Sequence, residues 1–91
     1  MKLTREIEIL NSQGLHARPA TALVNLTSRF KSQLFLVRDE KKINAKSILG
    51  VLVLAAEKGA KLRVEAEGTD AQQALDAIAE LAVNKFGMSE E

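Results

Sequence analysis

Leu3, Ile7 and Ile9 fall on one side of a period-two pattern with Glu6 and Glu8 opposite, which predicts a half-buried strand at the start of the chain. Arg5 interrupts its apolar side. Asn11-Ser12-Gln13-Gly14 is turn chemistry. After it Ala20, Leu23, Val24 and Thr27 recur at helical spacing and predict a helix from Ala17 to about Arg29. Gln33-Leu34-Phe35-Leu36-Val37 is a short apolar run rich in strand formers. The polar stretch Arg38 to Lys42 leads from it to a brief strand around Lys42-Ile43-Asn44, so the two read as a hairpin with a solvated turn. From Ile48 to Ala56 the chain is apolar on all sides; Ser47 as N-cap and Gly59 as C-terminal stop select helix over strand. Leu62, Val64 and Ala66 alternate with Arg63, Glu65 and Glu67, the clearest strand in the chain, ended by Gly68. Thr69-Asp70-Ala71-Gln72 supplies an N-cap and a capping-box glutamine. Ala71, Ala74, Leu75, Ile78, Leu81 and Ala82 then form the stripe of a last helix running to about Phe86, followed by a frayed tail from Gly87.

The order β-α-β-β-α-β-α is that of an α+β fold, in which one antiparallel-dominated sheet is covered by helices on one face. Periodicity does not fix the strand order. With 91 residues and no linker, repeat or low-complexity segment, one domain over residues 1–91 is expected. Its core must be aliphatic, because the only aromatics are three phenylalanines.

Charge and composition narrow the function. Thirteen Lys and Arg against twelve Asp and Glu leave a net charge of +1, so no bulk field points to nucleic acid or a membrane surface. The absence of cysteine removes disulfides, thiolate metal sites and cysteine nucleophiles together. The start of the chain lacks an apolar signal core, and no apolar run approaches the roughly 20 residues of a membrane span. A soluble cytoplasmic protein without membrane insertion is the expectation.

The chemistry concentrates in Gly14-Leu15-His16-Ala17-Arg18-Pro19-Ala20, which holds the only histidine and the only proline. Histidine is the side chain type whose unperturbed pKa leaves much neutral imidazole near pH 7, which makes His16 a candidate nitrogen nucleophile. Arg18 adds a permanent cationic fork suited to phosphate oxygens. Pro19 favours the first turn of a helix, which puts His16 at the N-terminus, where anions are attracted. Gly14 lets the backbone turn so that the ring stays accessible. From the residues alone, a lone histidine in a polar turn is also read as a solvated residue or a helix cap. Metal binding needs several ligands that are missing, and nothing in the spacing favours Ser-His-Asp catalysis. No metal or cofactor is expected.

That segment, with Lys46-Ser47-Ile48-Leu49-Gly50-Val51 about thirty residues further on, resembles the HPr family of histidine-containing phosphocarriers of the bacterial phosphotransferase system. The resemblance covers nearly the whole chain. It implies an open-faced β-sandwich, a four-stranded antiparallel sheet with three helices on one face. It implies further that His16 accepts phosphate from phospho-enzyme I on Nδ1 and passes it to IIA domains of sugar permeases, with Arg18 assisting at the phosphate. The protein would then be a stoichiometric carrier without a turnover reaction of its own. Ser47 resembles the serine modified by HPr kinase/phosphorylase, although its bland role is to cap a helix. The family's docking patch maps here onto Ala17, Thr21 and the start of the second helix, where Ile48, Leu49 and Leu52 are expected to divide between core and surface. A monomer suits a protein that must dock with several partners in turn. Two alternatives stay open: a nitrogen-branch (NPr-type) regulatory carrier, and a small acylphosphatase-like hydrolase using Arg18.

Overall fold

The computed structural model describes residues 2–88. The elements are β1 (Lys2–Glu8), α1 (Ala17–Thr27), β2 (Gln33–Arg38), β3 (Lys41–Asn44), α2 (Ile48–Leu54), β4 (Lys61–Glu67) and α3 (Ala71–Val83), followed by a short 3-10 turn at Lys85–Gly87. The four strands form one antiparallel sheet in the order β1-β4-β2-β3. β4 lies inside the sheet, its Glu67 paired with Lys2 of β1 on one side and Gln33 of β2 on the other.

The alternation in β4 decides which face the helices cover. Leu62, Val64 and Ala66 are at most 1% exposed and join Ile7, Leu34 and Leu36 in one core with the helix residues Ala20, Leu23, Val51, Ala74 and Ile78. Each fully buried Val, Leu or Ile of this kind stabilises the fold by about 1.5–3 kcal/mol relative to exposure. α3 packs on β1 and β4, while α1 meets α2 and α3. The opposite sheet face stays open, giving the open-faced sandwich.

Four details depart from the pattern expected of the sequence. The second helix does not run on toward Gly59: Ala55, in the left-handed region (φ 53, ψ 43), closes it and donates its N–H to Leu52 O at 3.1 Å. The reversal has to come there because Ala56 turns inward, 3% exposed, and its carbonyl receives Leu15 N–H at 2.9 Å. Gly59 instead shapes the approach to β4, donating to Ile9 O at 2.7 Å.

The capping box at Thr69 and Gln72 is not formed. Asp70 is the N-cap residue of α3, and no side chain caps that end. Its carboxylate instead accepts from Lys31 N–H and Ser32 N–H, both at 2.9 Å, and from the Ser32 hydroxyl. Three donors from the loop before β2 outweigh a single capping amide.

The last helix stops at Val83, and Phe86, in a left-handed conformation (φ 55), is swung back into the core at 1% exposure. Burying a large aromatic compensates the strain of that reversal, which for a non-glycine residue costs about 1–3 kcal/mol. Of the expected frayed tail, Gly87 and Met88 belong to or follow the 3-10 turn, with Met88 N–H on Lys85 O at 2.9 Å; residues 89–91 lie outside the described residues.

Glu65, read as a solvent-facing strand residue, is only 4% exposed on the open sheet face. Lys42 approaches its Oε1 to 3.1 Å and Lys2 to 3.6 Å, without the alignment of hydrogen bonds, while Arg63 reaches Oε2 at 3.1 Å. Lys42 chiefly, with Arg63 and Lys2, holds the carboxyl below its ordinary range despite desolvation. Lys42 also lies 4.6 Å over the Phe35 ring.

Candidate functional site

His16 is the N-cap of α1, in extended backbone (φ −80, ψ −165), and makes no side-chain capping bond. It is exposed. The helical ladder begins with Ala20 N–H on His16 O at 3.0 Å. The N–H groups of Ala17 and Arg18 therefore have no partner within the helix, and Pro19, buried in the first turn, has none to offer. These two amides and the helix dipole favour an anion beside His16, by about 0.3–1 kcal/mol for the dipole at an exposed site. Arg18 is exposed in the same turn.

The loop that delivers His16 is tightly determined. Gly14 adopts φ +68, and a Cβ there would meet Ala56 O at 2.3 Å, so only glycine fits the close approach to the segment after α2. Leu15 is 3% exposed and hydrogen-bonded to that same carbonyl. The ring thus emerges from a fixed base over a shallow depression whose other wall is Leu52, Ala55, Ala56 and Glu57. Glu57 brings a negative charge to that wall. Arg38 donates to Glu57 Oε2 at 2.8 Å, which lowers the Glu57 pKa, raises that of Arg38 and partly offsets the charge.

The apolar surface beside the histidine comes from α2. Ser47 caps this helix as expected, its hydroxyl accepting Gly50 N–H at 3.0 Å. Ile48, Leu49 and Leu52 do not divide between core and surface: they are 40%, 69% and 37% exposed, while Val51 and Leu54 supply the buried stripe. Val53, 60% exposed, joins them and was not singled out by its sequence. The only cue to it was that a short helix apolar on all sides cannot bury every side chain against one sheet face. Ala17 is exposed, as is Thr21, whose hydroxyl donates to Ala17 O at 2.8 Å.

Three further contributors escaped the sequence reading. Glu57 carries no signal in the sequence, and Arg38 lies in a stretch whose pattern reads as a solvated turn. Asn11, taken as turn chemistry, is 1% exposed. Nothing local distinguishes a buried turn asparagine from a solvated one; the signal lies in the tertiary approach of residues 56 and 57. Among the described residues, no cluster of His, Asp or Glu could hold a metal ion, and no helix is long and apolar enough to cross a membrane.

An open-faced sandwich that offers one exposed histidine at a helix N-terminus, beside an exposed apolar helix, has the architecture of a phosphocarrier. The family model described as "PTS HPr component phosphorylation site" matches residues 3–84. The phosphocarrier protein HPr of Treponema pallidum is 46% identical over 84 residues, covering 92% of this chain and 96% of that protein. The phosphocarrier protein NPr of Shewanella violacea is 45% identical, covering 93% of both. In solved structures, HPr of Thermoanaerobacter tengcongensis superposes with a TM-score of 0.91 at 42% identity, covering 96% of this chain and 98% of that one. Crh of Bacillus subtilis, described as a swapped-domain dimer, gives a TM-score of 0.74 at 40% identity over 89% of this chain and 93% of that one. The chain belongs to the HPr family, the phosphocarriers of the phosphotransferase system.

Proposed function

We propose that His16 is the phosphoryl acceptor of this chain, charged by phospho-enzyme I and discharged to IIA domains. The observation that carries the reading is the geometry of α1: an exposed imidazole at the N-cap, free of any capping bond, beside the unpaired amides of Ala17 and Arg18. A neutral ring nitrogen, Nδ1 by resemblance to the family, attacks phosphorus through its lone pair. The new P–N bond forms as the bond to the donor breaks, and the electron pair returns to the donor. The phosphoryl group brings roughly one and a half to two negative charges to a neutral place. The helix terminus and Arg18 compensate them in part, which holds the group without trapping it. Ala17, Thr21, Ile48, Leu49, Leu52 and Val53 form the docking face, apolar enough to be used by successive partners and small enough to release them.

In this reading the protein is a stoichiometric carrier acting in the cytoplasm as a monomer, without turnover of its own. Incubation with phosphoenolpyruvate and enzyme I is expected to add one acid-labile, base-stable phosphate per chain, lost in His16→Ala. Labelling that survives the substitution contradicts the assignment, and continuous release of inorganic phosphate supports a hydrolase instead.

Ser47 is the regulatory site of the same proposal. Its hydroxyl caps α2 at the edge of the docking face, and a phosphate there suits the helix terminus while repelling an acidic partner. ATP and HPr kinase/phosphorylase should introduce an acid-stable phosphate that Ser47→Ala abolishes. The 45% identity to an NPr protein supports a second reading, a nitrogen-branch carrier using the same His16 chemistry. Transfer rates to a sugar-type and a nitrogen-type IIA domain decide between the two.

A further inference from the structure

Between β1 and His16 the chain passes a buried asparagine whose job the fold alone does not explain. Asn11 is 1% exposed and grips Gly14 from both directions: its backbone carbonyl accepts Gly14 N–H at 3.1 Å, and its side-chain Nδ2 donates to Gly14 O. Its Oδ1, also buried, has no hydrogen-bond partner among the described residues. An unpaired buried acceptor is costly, and an apolar side chain would fill the space without it. What an apolar side chain cannot supply is the bond from Nδ2 to Gly14.

That bond acts on a segment with little other freedom. Gly14 is pressed against Ala56 and Glu57, and Leu15 N–H is held by Ala56 O, so the peptide between Gly14 and Leu15 is oriented by one side chain and one carbonyl. His16 follows immediately, and no capping bond of its own fixes the ring. Its direction is therefore set by the backbone on either side, the loop behind it and the helix ahead, where Ala20 N–H holds His16 O.

We propose that Asn11 is a positioning residue for phosphoryl transfer: its side-chain amide, locked on the Gly14 carbonyl, sets the direction in which His16 leaves the loop and hence the line of attack of the imidazole. The inference rests on the reading of His16 as acceptor. Asn11 touches neither the donor nor the phosphoryl group. Asn11 is buried, at 1% exposure, and so is no part of the exposed docking face of Ala17, Thr21 and α2; it should govern the chemical step and leave docking alone.

The test uses the full chain as acceptor for phospho-enzyme I, with Asn11→Ala and the near-isosteric Asn11→Asp, which keeps the shape and removes the donor. Rates are expressed per folded chain. We expect kcat to fall roughly tenfold, since a displacement of about 1 Å at a reacting group can cost up to about a hundredfold, with KM for the chain unchanged. A kcat per folded chain equal to that of the unaltered protein overturns the proposal, as does a rise in KM with kcat preserved. Hydrogen exchange of the Asn11 side-chain amide in the unaltered chain decides the matter even where a variant fails to fold. Protection supports the bond to Gly14, and exchange at solvent rates overturns it. His16→Ala is run in parallel. If it still accepts phosphate, the acceptor assignment itself fails; if it is inert while both Asn11 variants transfer normally, only the role of Asn11 fails.

Discussion

Two corners of this molecule are built alike and used differently. At each, a glycine with positive φ lies so close to a neighbouring segment that a Cβ would collide: Gly14 against Ala56 O at 2.3 Å, and Gly68 against the Ser32 Cα at 2.7 Å. Each leads into a helix. At the second corner the polar side chain is engaged by the fold, with Asp70 taking three donors from Lys31 and Ser32 and its pKa pulled down to about 2. At the first, His16 projects into solvent with no capping bond. The same close-packed backbone thus fixes a crosslink in one place and holds a reactive group open in the other. A polar side chain engaged by neighbouring donors stabilises the fold, and one left unused at a rigid base is available for chemistry.

The sharpest way to break the comparison is His16→Ala, which should abolish phosphate acceptance completely. Because the ring supports nothing, denaturant unfolding should stay within about 0.5 kcal/mol of the unaltered chain. A large loss of stability would make His16 a structural residue after all. Next in size is Gly14→Ala. Left-handed strain and overlap with Ala56 together predict a loss of about 2–6 kcal/mol in urea denaturation, with phosphate acceptance falling even where the chain remains folded.

Asp70→Asn sharpens the other corner through pH. The folded carboxyl titrates near 2, below the ordinary 3.8, chiefly because the Ser32 hydroxyl and then the Lys31 amide donate to the ionised form. A depressed carboxyl pKa adds stability above the unfolded value that is lost as pH falls toward the folded one. The unaltered chain should therefore be more stable than Asp70→Asn at neutral pH. The two stability curves should converge between about pH 5 and pH 2. Parallel curves across that window would show that the crosslink does not stabilise the ionised carboxylate. Phosphate acceptance per folded chain should be unchanged, since this corner carries none of the chemistry.

An equally small effect on stability is expected on the docking face, where the functional loss is also partial. Leu49 is 69% exposed, so Leu49→Asp should alter unfolding by no more than about 0.5 kcal/mol. It should nevertheless raise the KM of enzyme I for the chain. An unchanged KM would remove Leu49 from the docking face.

The legible part of the molecule was whatever is written locally. Alternation at Leu62, Val64 and Ala66 gave β4 and its buried face, Ser47 announced the start of α2, and one histidine two residues from an arginine and three from a proline marked the site. What stayed hidden depends on residues far apart in the chain. The order β1-β4-β2-β3 rests on pairings such as Lys2 with Glu67. Asp70 has every local mark of a helix cap and was drawn away by Ser32, 38 residues earlier. Glu65 looked solvated because its cover, Lys2 and Lys42, comes from two other strands. Ala55 ends α2 in a conformation that alanine seldom adopts, so no breaker residue announced it.

The most direct test of the central claim is a nitrogen–phosphorus correlated NMR spectrum of the chain after charging from phosphoenolpyruvate and enzyme I. The chain contains one histidine, so the assignment is unambiguous. The account predicts a single phosphorus resonance coupled to a ring nitrogen of His16. Phosphorus coupled to no imidazole nitrogen, or spread over several side chains, would contradict it.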